Sequence, residues 1–366
     1  MKYKLSHFVI IIYLLCSGHS SSLNSPGNSN ILPASSLSPF GRYAWDEKQD
    51  LELISSAVNF GFSFSGKECQ VFAFLTDTTA HNYLQYELDG VYQKRIKILG
   101  NDAKPIVIIA GAGTHTVWIY KATEAQTGPI FIEKIMGENL KPLKRPKAPI
   151  IEFIGNSITC GAAADASEMP CGKGAYHDYT NAYYAYGPRV ARSLEVNFIL
   201  SSVSGIGIYR NWNSNGPTMP EVYEKTDFQD YSKRFWDFST YKPTIVSIAL
   251  GTNDFSNGDG KHERLPFDSG VFVKNYIKFV QLVKSKYPEA RIALLSSPMI
   301  NGDRRITLQN CITAVKENID KIYPSDKKIA FYFFEPMQAR GCSGHPSVED
   351  HAILAKELEP FFKKLL

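Results

Sequence analysis

Ile150-Ile151-Glu152-Phe153-Ile154-Gly155-Asn156-Ser157-Ile158-Thr159 decides how this chain is read. The apolar run Ile150, Ile151, Phe153 and Ile154 is the pattern of a buried strand. Its last residues hand a serine to a tight glycine turn, which makes Ser157 the candidate nucleophile.

A serine hydroxyl is a poor nucleophile at neutral pH, so a base and donors for a developing oxyanion are needed elsewhere. Three further blocks follow in order: Ser204-Gly205-Ile206-Gly207, Gly251-Thr252-Asn253-Asp254 and Gly344-His345-Pro346-Ser347. The first two follow strand-like runs, 198–203 and 245–250, and so fall at the C-terminal edge of a sheet, where open α/β folds place their sites. Each block alone recurs in ordinary turns; the specificity lies in their order.

With these blocks the chain resembles the SGNH or GDSL-type serine hydrolases. The resemblance implies Ser157 as nucleophile, His345 as general base, and an oxyanion hole made of the Ser157 N–H, the Gly205 N–H and the Asn253 side-chain amide. Asn156 stands where the family more often has Asp, a change without proton chemistry. Fuller strings, 153–161, 204–212 and 250–256, together with a β-rich region ahead of the hydrolase part, resemble carbohydrate esterase family 2. That implies removal of acetyl groups from plant-type polysaccharides such as xylan or glucomannan, with a preference for O6 positions.

One position departs from the commoner hydrolase pattern. An Asp two or three residues before the base usually orients the imidazole, but Ser343 and Cys342 stand there. Some relatives use a Ser–His dyad held by a main-chain carbonyl, which fixes the tautomer but stabilises the imidazolium less than a carboxylate. Glu335 and Asp350 stay open as substitutes.

The length of 366 residues, with 44% hydrophobic and 13% aromatic residues, supplies two cores. A net charge of +4, spread along the chain, and the lack of a basic segment with interleaved aromatics argue against a nucleic-acid partner. Residues 1–21 read as a secretory signal, with Lys2 and Lys4 before the apolar stretch from Phe8 to Leu15, too short to span a bilayer. The expected location is therefore secreted, periplasmic or at the cell surface. Lipidation of Cys16 is the alternative and would give the only membrane contact.

Residues 22–39 read as a Ser/Asn/Pro-rich tether with little to bury. Short alternating strands over 40–141 predict a β-sandwich of jelly-roll type, and 142–149 a linker. Alternating strand-like and helix-like stretches over 150–366 predict a three-layer α/β hydrolase domain with a flavodoxin-like parallel sheet.

Five cysteines remain beyond Cys16, and Cys160 with Cys171, close in sequence, is the expected disulfide. No spacing fits a zinc template, so neither metal nor cofactor is expected. Tyr209, Arg210, Asn211 and Trp212, just after the oxyanion glycine, are the candidate sugar-binding residues. Asp254 reads as a buried hydrogen-bonding residue, and Asp165, Glu168 and Asp178 as a solvated face. The function expected is a carbohydrate O-acetylesterase. The alternatives are a general GDSL esterase or lipase and a catalytically inactive carbohydrate-binding protein.

Overall fold

The run quoted above forms an interior strand of a five-stranded parallel sheet. A computed structural model describes residues 30–102, 104–261 and 263–366, so the expected signal, most of the tether and Cys16 lie outside the described residues. The sheet is built from β10 (Ile150–Gly155), β11 (Asn197–Ser202), β12 (Ile245–Ala249), β13 (Arg291–Leu295) and β14 (Ala330–Tyr332), in the order β11-β10-β12-β13-β14. Relative to the first of these strands that is the 2-1-3-4-5 order of flavodoxin-like sheets, whose chain direction switches beside β10.

Side chains alternate across this sheet with period two. Ile154, Val246, Ile248, Ile292 and Leu294 pack on one face with α4 (Ser269–Lys286) and α5 (Gly302–Ile322). Ile151, Phe153, Leu200, Ala293 and Leu295 pack on the other with α2 (Tyr186–Ser193) and α6 (Val348–Leu365). Short α1 (Ser157–Cys160) and α3 (Met219–Val222) sit in the loops after β10 and β11. The three layers match the sequence expectation.

Ahead of it, nine antiparallel strands enclose one core: β1 (Ile31–Pro33), β2 (Tyr43–Trp45), β3 (Leu51–Leu53), β4 (Asn59–Phe74), β5 (His81–Leu88), β6 (Val91–Leu99), β7 (Ile106–Ile109), β8 (Thr114–Lys121) and β9 (Ile130–Leu143). The layers expected of a sandwich are hydrogen-bonded into one continuous sheet by the long β4 and β9. These strands pair with register shifts between Ser63 and Ser65, Ser65 and Gln70, and Phe72 and Ala73, and such irregularities bend a sheet around its core.

The tether expectation fails at its end. Ile31–Pro33 pairs antiparallel with β9, and Leu32, Ala34 and Leu37 are buried, because these three apolar positions give the segment enough to bury despite its Ser and Pro neighbours. The linker is pinned as well: the Arg145 guanidinium lies 3.7 Å from the Trp118 ring centre and donates to Asn59 and Tyr120.

A buried polar contact joins the two units. Arg42, fully buried, donates to the carbonyls of Tyr223 (2.7 Å) and Lys225 (2.8 Å), and its Nη2 lies 3.8 Å from Glu152 on β10. The Phe228 ring lies under the guanidinium, 4.2 Å from its centre. Burial pushes Arg42 down and Glu152 up, and their mutual attraction opposes both shifts. Removing one member of a buried pair leaves an uncompensated charge, so Arg42→Ala is expected to destabilise the protein by about 3–5 kcal/mol. Urea unfolding of wild type and variant checks this, and an unchanged midpoint contradicts it.

Candidate active site

Ser157 is placed by the strand-to-helix turn after β10. Asn156 caps α1, its side-chain oxygen accepting from the Ile158 N–H at 3.1 Å, which leaves the Ser157 N–H at the open first turn. Gly155 is required by close packing: a Cβ there would stand 2.0 Å from the Thr159 hydroxyl. Ser157 is largely buried yet lines a cleft of about 810 Å³.

His345 comes to it from the loop before α6. Its Nε2 lies 2.9 Å from the Ser157 hydroxyl oxygen, and its Nδ1 lies 3.0 Å from the Ser343 main-chain carbonyl. Nδ1 therefore carries the proton it donates to that carbonyl, and Nε2 is free to accept from serine. Neither open carboxylate reaches the ring. Glu335 is exposed and pairs with Arg305, while Asp350 pairs with Arg340 and accepts from the Ser347 N–H at the start of α6. Ser343 takes a left-handed conformation (φ 52°), a strained state for a residue other than glycine.

The oxyanion candidates line the same cleft. Gly205 has φ +78°, a conformation glycine adopts without strain, and its carbonyl accepts from the Trp212 N–H at 2.7 Å. The Asn253 amide donates one hydrogen to the Ile206 carbonyl at 2.8 Å, and its second remains for a ligand. Ser157, Gly205 and Asn253 follow β10, β11 and β12 respectively, at the sheet's switch point. Asp254 is a buried hydrogen-bonding residue as expected. It accepts from the N–H groups of Ile208 and Tyr209, and burial raises it to about 6 against these bonds.

The candidate sugar-binding segment divides. Asn211 and Trp212 line the cleft, and Trp212 is 45% exposed. Arg210 does not serve it: the side chain is buried and donates to the carbonyls of Asp254 and Leu265, which hold its charge inside the loop. Tyr209 packs on Phe267 and Phe272 and, with Arg210, lines a separate cavity of about 950 Å³ that contains neither Ser157 nor His345.

The disulfide is Cys171–Cys342, which corrects the expected Cys160–Cys171 pair. Cys160 points from α1 into the interior, against Ser202 and Glu124, whereas the loop carrying Cys171 folds over the His345 loop. Two of the three acidic residues expected on a solvated face are corrected too. Asp178 is buried and accepts from Tyr83, His81 and the Ala175 N–H, and Asp165 accepts from Asn181, so both tie the loop to its surroundings instead of facing water. Glu168 is half exposed, with Arg95 3.5 Å away.

Sequence reasoning missed Tyr176, whose hydroxyl lies 3.2 Å from His345 Nε2, and Gln126, a cleft residue contributed by the N-terminal unit. Neither belongs to a motif. Tyr176 carries only the signal of an aromatic in the loop after the nucleophile.

A parallel-sheet domain carrying these groups defines an SGNH/GDSL-type serine hydrolase, a carboxylic-ester hydrolase. Residues 40–146 match the carbohydrate esterase 2 N-terminal domain and residues 153–331 the GDSL-like lipase/acylhydrolase family. Together the two matches make the chain similar to the family 2 carbohydrate esterases. The chain is 29% identical over 292 residues to an acetylxylan esterase/glucomannan deacetylase of Cellvibrio japonicus, covering 73% of this chain and 77% of that protein. It is also 29% identical over 345 residues to the cellulase/esterase CelE of Acetivibrio thermocellus, covering 89% of this chain and 39% of that longer protein. The structure of a family two carbohydrate esterase from Clostridium thermocellum in complex with cellohexaose superposes with a TM-score of 0.76 at 28% identity, over 91% of this chain and 98% of that one.

Burial pushes the His345 imidazole below its ordinary value, against the main-chain contacts that raise it. A His345 that serves as base must be neutral, so in that role activity falls as pH drops through this depressed value. The acid limb of kcat/KM is expected below the ordinary histidine pKa of about 6.5, and a limb above that value would contradict this environment. Non-reducing peptide mapping is expected to recover the Cys171–Cys342 linkage with Cys160 as a free thiol; a Cys160 disulfide would contradict it.

Proposed function

We propose that this chain removes acetyl groups from acetylated polysaccharides through a Ser157 acyl-enzyme. The contact of 2.9 Å between His345 Nε2 and the Ser157 hydroxyl carries the reading. His345 takes the serine proton as the hydroxyl oxygen attacks the acetyl carbonyl. The tetrahedral oxyanion is held by the N–H groups of Ser157 and Gly205 and the free hydrogen of the Asn253 amide. His345 then protonates the sugar alkoxide as the C–O bond breaks, and water brought in by the same base releases acetate.

The polysaccharide part of the reading rests on two supports. The relatives named above are an acetylxylan esterase/glucomannan deacetylase and a carbohydrate esterase seen with cellohexaose. The cleft also presents an exposed indole, Trp212, beside the polar Asn211 and Ser214, a combination suited to the apolar face and hydroxyl edge of a pyranose. The O6 position and a secreted location, from the signal-like N-terminus, belong to the same proposal.

Acetate release from acetylated xylan and acetylated glucomannan, beside hydrolysis of a long-chain acyl ester, tests it. The polysaccharides are expected to be the substrates, with release abolished in Ser157→Ala. Turnover confined to the long-chain ester would replace this reading by a general esterase. Asn253→Ala is expected to lower kcat on the order of a hundredfold while remaining folded, and unchanged turnover would remove Asn253 from the oxyanion hole.

A further inference from the structure

Ser204 stands immediately before the oxyanion glycine and is gripped from outside its own domain. Both oxygens of the Glu124 carboxylate are engaged on it: one accepts from the Ser204 N–H at 2.6 Å, the other from the Ser204 hydroxyl at 2.7 Å. Glu124 belongs to the N-terminal unit, in the segment after β8 whose neighbour Gln126 lines the cleft. We infer that Glu124 is a positioning residue of the oxyanion hole, so that the N-terminal unit completes the active site of the hydrolase domain. This rests on the role proposed above for the Gly205 N–H.

The need for such a grip follows from glycine's freedom. Gly205 has the widest backbone choice of any residue type, so its N–H direction is fixed only if the chain is held on both sides. On the far side, the Trp212 N–H holds the Gly205 carbonyl at 2.7 Å. On the near side, Glu124 holds Ser204 at two points. Turning the Gly205 N–H away from the cleft then requires breaking one of these contacts.

The clamp is itself rigid. Lys121, fully buried, donates to the Glu124 main-chain carbonyl at 2.5 Å, Thr127 donates to the same carbonyl at 2.6 Å, and Asn82 donates to the carbonyls of Thr127 and Gly128. The Glu124 carboxylate is also buried, an expensive placement for a charge. Its direct side-chain partners are Ser204 and the Cys160 thiol at 3.6 Å, while Lys121 reaches only its main chain. The other titratable group whose charge couples to it is Tyr176, from the loop over His345. A carboxylate serving only to neutralise Lys121 has no reason to place both oxygens on Ser204.

Two substitutions separate positioning from structural support. Glu124→Asp keeps the charge near Lys121 but withdraws the carboxylate by one methylene; Glu124→Gln keeps the shape and removes the charge. Hydrolysis of 4-nitrophenyl acetate is measured per folded molecule, with thermal unfolding recorded for each variant and Asn253→Ala in the same series. In the folded Asp variant, kcat and kcat/KM are expected to fall together by about tenfold or more with KM within about threefold, the pattern of a lost transition-state interaction. The Gln variant, which can still accept from the Ser204 N–H, is expected to lose less than the Asp variant.

A folded Glu124→Asp protein with kcat reduced less than about tenfold overturns the inference. Should the Asp variant not fold, Ser204→Ala decides, since it removes one of the two grips without stranding a charge: a kcat loss of about threefold or more supports positioning, and a smaller one overturns it. If Asn253→Ala is unimpaired as well, the oxyanion reading itself has failed; if only the Asn253 variant is impaired, Glu124 alone is excluded.

Discussion

The hydrogen bond from His345 Nδ1 to the Ser343 carbonyl is the contact on which the site depends. A carboxylate would orient the ring by charge and tolerate some movement. A main-chain carbonyl orients it only as well as the loop is held. The loop is accordingly over-determined: the Gly341 N–H donates to the His345 carbonyl, the Cys342 N–H to Ala163 and the Val348 N–H to Ala164. Cys342 is also bonded to Cys171, and Ser347 and Asp350 cap α6 reciprocally just beyond. The left-handed Ser343 is a strain that such a surround can maintain.

The N-terminal unit is part of this frame. Arg42 reaches Glu152 on β10, His81 and Tyr83 hold Asp178 in the loop that carries Tyr176, and Glu124 holds Ser204. The first of these contacts anchors the strand that leads to Ser157, and the other two hold loops that line the cleft. A β-domain so placed is better described as a wall of the catalytic unit than as an appendage.

Much of this was legible in the sequence, for a physical reason. In a parallel sheet the functional residues sit at strand ends, so an apolar run followed by Gly-Asn-Ser, Ser-Gly or Gly-Thr-Asn marks both the strand and a candidate site residue. What escaped depends on long-range partners. Cys160 and Cys171 are neighbours in sequence, but α1 turns one sulfur inward and the loop carries the other to Cys342. Asp165 and Asp178 have the composition of a solvated loop, and only the N-terminal unit and the packed loop itself turn them into buried acceptors. Arg210 beside Trp212 looked like a hydroxyl-binding residue until the 265 loop supplied its carbonyl. Strand β1 was hidden by its Ser and Pro neighbours, since its pairing partner lies about a hundred residues on, in β9.

The dyad is tested most directly by fluorophosphonate labelling followed by peptide mass spectrometry, on the wild type and on His345→Ala. One adduct, on Ser157, formed rapidly in the wild type and at a rate lower by several orders of magnitude in the variant, is the expected result. Labelling at another serine, or equal rates in the two proteins, would contradict the assignment of Ser157 and His345 as nucleophile and base.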